Sequence, residues 1–223
     1  MSENISTEKQ IGKPDGPTSY FIIGGKNHKP TLKQRFQKWR FGKRKDRVAK
    51  KIKANPHTLD EVCEYIKNKL GFVELEQTSK VYQHEYREMR ASFLMRYAPE
   101  LLGELKERPQ LTGETEEDIR EFMDAVEAQK QVAMQVPREE FNIEFRMFKK
   151  QMGDSEYHVL IETKYEHIGG GASGKTKAVN RFHKVYKEIY RYYGVSEEDI
   201  AGKSKRYEDY LRQLARVRLL RKK

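Results

Sequence analysis

The hydrophobic period changes twice along this chain, and that switch limits the folds open to it. From Leu59 to Gln135 apolar residues recur every three or four positions; from Phe141 to Tyr165 they alternate; from Val179 the helical spacing returns. A period near 3.6 lines one face of a helix and a period of 2 lines one face of a strand. The chain therefore reads as α+β. It is mainly helical, with one antiparallel β-hairpin at about 141–166, two C-terminal helices after it, and a basic N-terminal arm.

Local signals set the boundaries. Thr58-Leu59-Asp60-Glu61 has the cap and reciprocal glutamate of a capping box, and Leu59, Val62, Ile66 and Leu70 then share a face until Gly71. Tyr82, Tyr86, Met89, Phe93 and Tyr97 form a second face before Pro99. Thr112–Gln135 has another start signal and sets Ile119, Phe122, Val126 and Val132 on one side. Met152-Gly153-Asp154-Ser155 separates the two alternating runs, the mark of a hairpin. Val179, Phe182, Tyr186, Ile189 and Tyr193 form the next helical face, stopped by Gly194. Ser196–Asp199 opens a further helix with Tyr207, Tyr210, Leu214 and Val217 on its inner side. Four regions follow: a flexible arm over 1–25 with a short strand or docking peptide at Tyr20–Ile23, a basic segment over 26–55, an acidic helical region over 56–136, and the hairpin with its C-terminal helices over 137–223.

Charge is segregated along these regions. Residues 26–53 hold thirteen lysines and arginines against one acid, Asp46, whereas the whole chain carries a net charge of +11. Residues 200–223 hold nine basic and two acidic residues, and 54–199 hold 21 basic and 28 acidic. A segregated charge of this size points to a polyanionic partner. Other classes recede. The lone Cys63 leaves no internal disulfide and no cysteine-rich zinc site, and suits a reducing compartment. No apolar run approaches the ~20 residues of a membrane helix. The polar N-terminus does not read as a signal peptide, so the expected setting is intracellular, in the cytoplasm or within a nucleoprotein or viral particle.

Cations and aromatics interleave in the basic run: Lys33, Arg35, Lys38, Arg40, Lys43, Arg44, Lys45, Arg47, Lys50 and Lys51 surround Phe36, Trp39 and Phe41. Lysine and arginine meet phosphates, and exposed rings stack on unpaired bases. The competing reading makes Leu32, Phe36 and Trp39, at i, i+4 and i+7, a stripe that docks on the rest of the protein. Trp39 is accordingly a candidate nucleic-acid contact, with Arg216, Arg218 and Arg221 at the other basic pole. An acidic protein partner or self-assembly would use the same cations; a membrane would not, because the apolar stripe is short.

Gly169-Gly170-Gly171-Ala172-Ser173-Gly174-Lys175-Thr176 fits the P-loop string, between a strand and a helix. No later strand ends in an aspartate that would hold magnesium, and the preceding strand alternates where a central parallel strand is continuously apolar. The glycines therefore read as a flexible connector, with Lys175 and Lys177 as candidate phosphate contacts.

A hairpin turn centred on Gly153 sets Glu144 opposite Glu162, with Lys164 on the same face and Ile143, Phe145, Met147, Val159 and Ile161 on the other. Facing carboxylates hold a hard divalent cation, and a neighbouring lysine positions water or phosphate. Glu162-Thr163-Lys164, with Glu144 on the partner strand, resembles the PD-(D/E)xK nuclease superfamily over about 25 residues. The resemblance implies Mg2+-dependent DNA cleavage, with Glu144 and Glu162 as metal ligands and Lys164 as the catalytic lysine. Tyr193–Ser204 resembles the opening of the DNA-binding domain of the bacterial replication initiator DnaA, which implies DNA contact; a capped turn between two helices accounts for the same residues. The leading expectation is a nucleic-acid-binding protein without an enzymatic step and without a cofactor. A metal-dependent nuclease and a structural protein with an acidic partner stand behind it.

Overall fold

The structure is a computed structural model that describes residues 10–11, 20–21, 31–113, 115–173 and 175–216. The rest of the expected arm over 1–25 lies outside the described residues, as do Lys26, Lys29, Val217, Arg218, Arg221, Lys222 and Lys223. In chain order the elements are β1 (Gln10–Ile11), β2 (Tyr20–Phe21), α1 (Leu32–Ala49), α2 (Leu59–Asn68), β3 (Val73–Glu74), α3 (Lys80–Tyr97), a 3₁₀ segment (Pro99–Lys106), α4 (Glu116–Gln135), β4 (Phe145–Met152), β5 (Ser155–Glu162), β6 (His167–Ala172), α5 (Thr176–Tyr193), α6 (Glu197–Gly202) and α7 (Lys205–Ala215). The class is α+β, as the two changes of period require. The chain divides into two compact units, each discontinuous in sequence: residues 1–29 with 76–144, and residues 30–75 with 145–223.

The first unit is built on α3 and α4. Tyr82, Tyr86, Met89, Phe93 and Leu94 of α3 and Phe122, Val126 and Ala133 of α4 are buried, while Tyr97 ends the α3 stripe half out in solvent. The cap of α4 is Thr115, paired with Asp118 in a capping box. Arg90 ties the unit together. Buried at 5% exposure, it donates to the carbonyls of Phe141 at 2.7 Å, Val136 at 2.6 Å and Pro137 at 2.7 Å. Gln129, also buried, donates to Leu105 O and Glu107 O and so fixes the 3₁₀ segment on α4.

The second unit is a four-stranded antiparallel sheet of order β3-β4-β5-β6. Phe148, Tyr157, Val159, Ile161 and Ile168 on one sheet face pack with Val62, Cys63 and Ile66 of α2 and with Phe182, Tyr186 and Ile189 of α5. Both capping boxes read from sequence form here, Thr58 with Glu61 and Ser196 with Asp199. Tyrosine hydroxyls inside this core find partners, as buried phenols require: Tyr157 donates to Ala178 O and Tyr186 to Ile168 O.

Three sequence expectations change here. The hairpin turn is a two-residue loop, Gly153-Asp154, with Gly153 at φ 63°. Its centre falls between the two residues, so Phe145 and not Glu144 lies opposite Glu162. The glycine run is no flexible connector: Gly169, Gly170 and Gly171 belong to strand β6. A Cβ on Gly170 would stand 3.0 Å from the Phe182 ring and 2.6 Å from His158 O, so the bare strand is what lets α5 lie on the sheet. Finally, α7 buries Tyr207, Leu211 and Ala215, with Tyr210 and Leu214 at the margin of the core.

Candidate nucleic-acid interface

Helix α1 carries eight cations and one acid over 18 residues. Its C-terminal end is what attaches it. Val48 and Ala49, with Ile52 just beyond, pack against the cluster of Val195, Tyr207 and Leu211, and Lys45 Nζ lies 2.6 Å from Glu208 Oε2. The expected docking stripe does not dock. Leu32 is 81% exposed, Phe36 55% and Trp39 57%. The physical reason is helical geometry. Residues two apart on a helix differ by roughly 200°, so the face through Phe36, Trp39, Lys43 and Arg47 is opposite the face through Phe41, Lys45 and Val48. One face is used for packing, and the other points away.

On that outward face Phe36 and Trp39 stack on each other, ring centroids 5.7 Å apart at 26°. The Arg40 guanidinium sits 5.7 Å from the Phe36 centroid. Arg35, Lys38, Lys43, Arg47, Lys50 and Lys51 are exposed around and beyond them. Arg44 is half-buried and Lys45 is engaged by Glu208, so neither stands among the outermost cations. Lys33 belongs to the first turn of α1. Where α1 meets α7, a cavity of about 330 Å³ opens with Arg47 and Lys51 at its rim and Val48, Ile52, Tyr210 and Leu214 on its walls.

A second basic stripe extends along α5 from the candidates Lys175 and Lys177. Lys177, Arg181, Lys184, Glu188 and Arg191 recur at spacings of 4, 3, 4 and 3 on the exposed face of α5, and Lys175 precedes them. The signal was present as the polar complement of the Phe182–Tyr193 core face. Glu188, the acid of this stripe, accepts from Tyr65 OH at 2.9 Å. Tyr65 in turn stacks on Tyr192, and Tyr192 on His57. The first turn of α5 holds no acid, so the helix dipole and its two leading lysines act in the same direction on an anion. At the other end, Arg216 is half-buried beside Gln213, and Lys187 donates to Leu214 O and Arg216 O, closing the last turn of α7.

The hairpin carboxylates are arranged otherwise than the nuclease resemblance implies. Glu162 is fully buried, and its carboxylate accepts the backbone N–H of Lys164 at 3.2 Å and of Tyr165 at 2.6 Å. It therefore fastens the turn from β5 to β6. Lys164 is on that turn and not on a strand, and Glu144 precedes β4. A one-residue register difference sends alternate side chains to the opposite sheet face, so the trio does not form the shared face expected of it. Among the described residues no three His, Cys, Asp or Glu side chains gather as a metal site would need. Cys63 is buried and its thiol is pushed up to about 11 by burial, so it stays protonated and unreactive near neutral pH.

No protein-family model, curated protein or solved structure matches this chain. No helix among the described residues is long and apolar enough to cross a membrane.

Proposed function

We propose that this protein binds nucleic acid without an enzymatic step, through the basic surface of the second unit. The observation that carries this is how charge divides between the units. The second unit holds 32 cations and 15 acids, and the first holds 13 cations and 19 acids. The outermost cations of the second unit form rows along α1 and α5, and each row spaces charge along a helix face as a phosphate backbone requires. Contacts of this kind release counterions, so affinity falls with salt by roughly 0.7–0.9 log units per log unit of salt for each phosphate contacted.

Deleting residues 26–53 would also remove Val48 and Ile52 from the core, so charge reversal is the cleaner test. Arg40→Glu, Lys43→Glu and Arg47→Glu together lower affinity and flatten the salt slope, while thermal stability stays near the parent value. Unchanged affinity and slope in that variant would sink the reading. Binding to an acidic protein that survives nuclease treatment would replace it with the structural alternative.

A further inference from the structure

We infer that α1 selects single-stranded nucleic acid, with unpaired bases stacking on Phe36 and Trp39 while Arg40, Lys43 and Arg47 hold the flanking phosphates. This rests on the nucleic-acid reading above and narrows it to a strand type.

Four observations converge. Of the three aromatic side chains of α1, Phe41 is half-buried, whereas Phe36 and Trp39 are each more than half exposed. Their rings lie against each other in an offset stack, which leaves flat faces for further stacking. Arg40 adds a guanidinium plane over the Phe36 ring. The same face continues at helical spacing into Lys43 and Arg47, not into more apolar residues.

The combination separates the polyanions. A duplex buries its base faces and offers phosphates and groove edges, so the two rings would gain little there. A single strand offers both parts, and each base stacked on an aromatic ring contributes about 1–3 kcal/mol. A bilayer surface would need the apolar stripe to run the length of the helix, whereas here it ends at Trp39 and cations follow. The packed face of α1 lies opposite, so a strand meets the rings without displacing the helix.

Trp39 is the only tryptophan in the chain, so its fluorescence reports on this surface alone. The full chain is titrated with oligo(dT) and with a duplex of equal length, at matched phosphate concentration, and Kd is read independently by anisotropy of labelled strands. Expected are strong quenching by the single strand, little change with the duplex, and tighter binding of the single strand. Phe36→Ala with Trp39→Ala weakens single-strand binding by at least tenfold, converted from the stacking energy, and leaves duplex binding within about twofold because phosphate contacts persist. Circular dichroism checks that the exposed substitutions keep the fold.

Equal affinity for both forms without quenching, still lost in the Lys43→Glu with Arg47→Glu variant, overturns the strand preference and leaves the nucleic-acid reading standing. No binding to either form overturns both. A blue shift on vesicles of anionic lipid without response to nucleic acid assigns the face to a membrane. A change with protein concentration alone assigns it to a second copy of this chain.

Discussion

The two units handle charge in opposite ways. In the first unit the cation that matters most, Arg90, is turned inward to satisfy three backbone carbonyls, and acids dominate outside. In the second unit the acids are the groups tied down: Glu74 by Arg146, Glu162 by backbone amides, Glu188 by Tyr65 and Glu208 by Lys45. Cations are left along α1 and α5. A net charge of +11 hides this division, which appears only when residues are grouped by the unit they fold into.

Gly194 ends α5 at φ 60°, and a Cβ there would stand 1.9 Å from Asn55 O. Gly194→Ala combines positive-φ strain with a backbone clash and should destabilise the second unit by about 3 kcal/mol or more. Thermal denaturation should show it, with nucleic-acid affinity falling alongside. Arg90→Ala orphans three carbonyls in the first unit and should cost about 2–3 kcal/mol of stability. Affinity for nucleic acid, measured below the new melting temperature, should be unchanged; if it falls as far as in the α1 charge reversal, the division of labour between units is wrong.

Lys43→Glu with Arg47→Glu should lower affinity by roughly 10–100-fold at moderate salt, whereas Glu121→Gln with Asp124→Asn on α4 should not lower it. Arg146 holds Glu74 in a two-point contact, at 2.6 and 2.7 Å, and this depresses the Glu74 carboxyl below its ordinary value of 4.5. A depressed carboxyl stabilises above its unfolded pKa and loses that contribution as pH falls through the folded value. Stability of the second unit should therefore drop below about pH 4.5, and Glu74→Gln, about 1 kcal/mol weaker at neutral pH, should flatten that part of the profile. Arg181→Ala with Lys184→Ala, on α5, should weaken binding by only about threefold and lower the salt slope.

Much of this fold is legible in the residues because local chemistry decides it. Thr58 with Glu61 and Ser196 with Asp199 announce helix starts by the hydrogen bonds they then make. What stays hidden depends on tertiary geometry. The hairpin register turns on whether the loop holds two or three residues, and that half-step decides whether Glu144 or Phe145 meets Glu162. Strand β6 is invisible to propensity because three of its six residues are glycine; Gly170 lies close to Phe182 and His158 O, and Gly169 and Gly171 lie close to the His167 and His158 rings. On α1 the larger apolar side chains look like the docking face. The smaller Val48, Ala49 and Ile52 dock instead, because they sit at the end that reaches α7. The cations are readable as a count, but which of them point outward is not.

Arg206 has a consequence for how a strand would be met. Its side chain donates to Gly194 O at 3.0 Å, to His57 O at 2.8 Å and to Tyr193 O, and lies 3.7 Å from the Tyr193 ring centroid. Asn55 N and His57 N add hydrogen bonds to Val195 O and Tyr193 O. The chain leaving α1 is thus stapled to the junction of α5 and α6. The anchored half of α1 is a bracket, not a tether, and its backbone is held in place before any ligand arrives. Association there should show a small heat-capacity change and a fast on-rate, in contrast to basic tails that must fold as they bind.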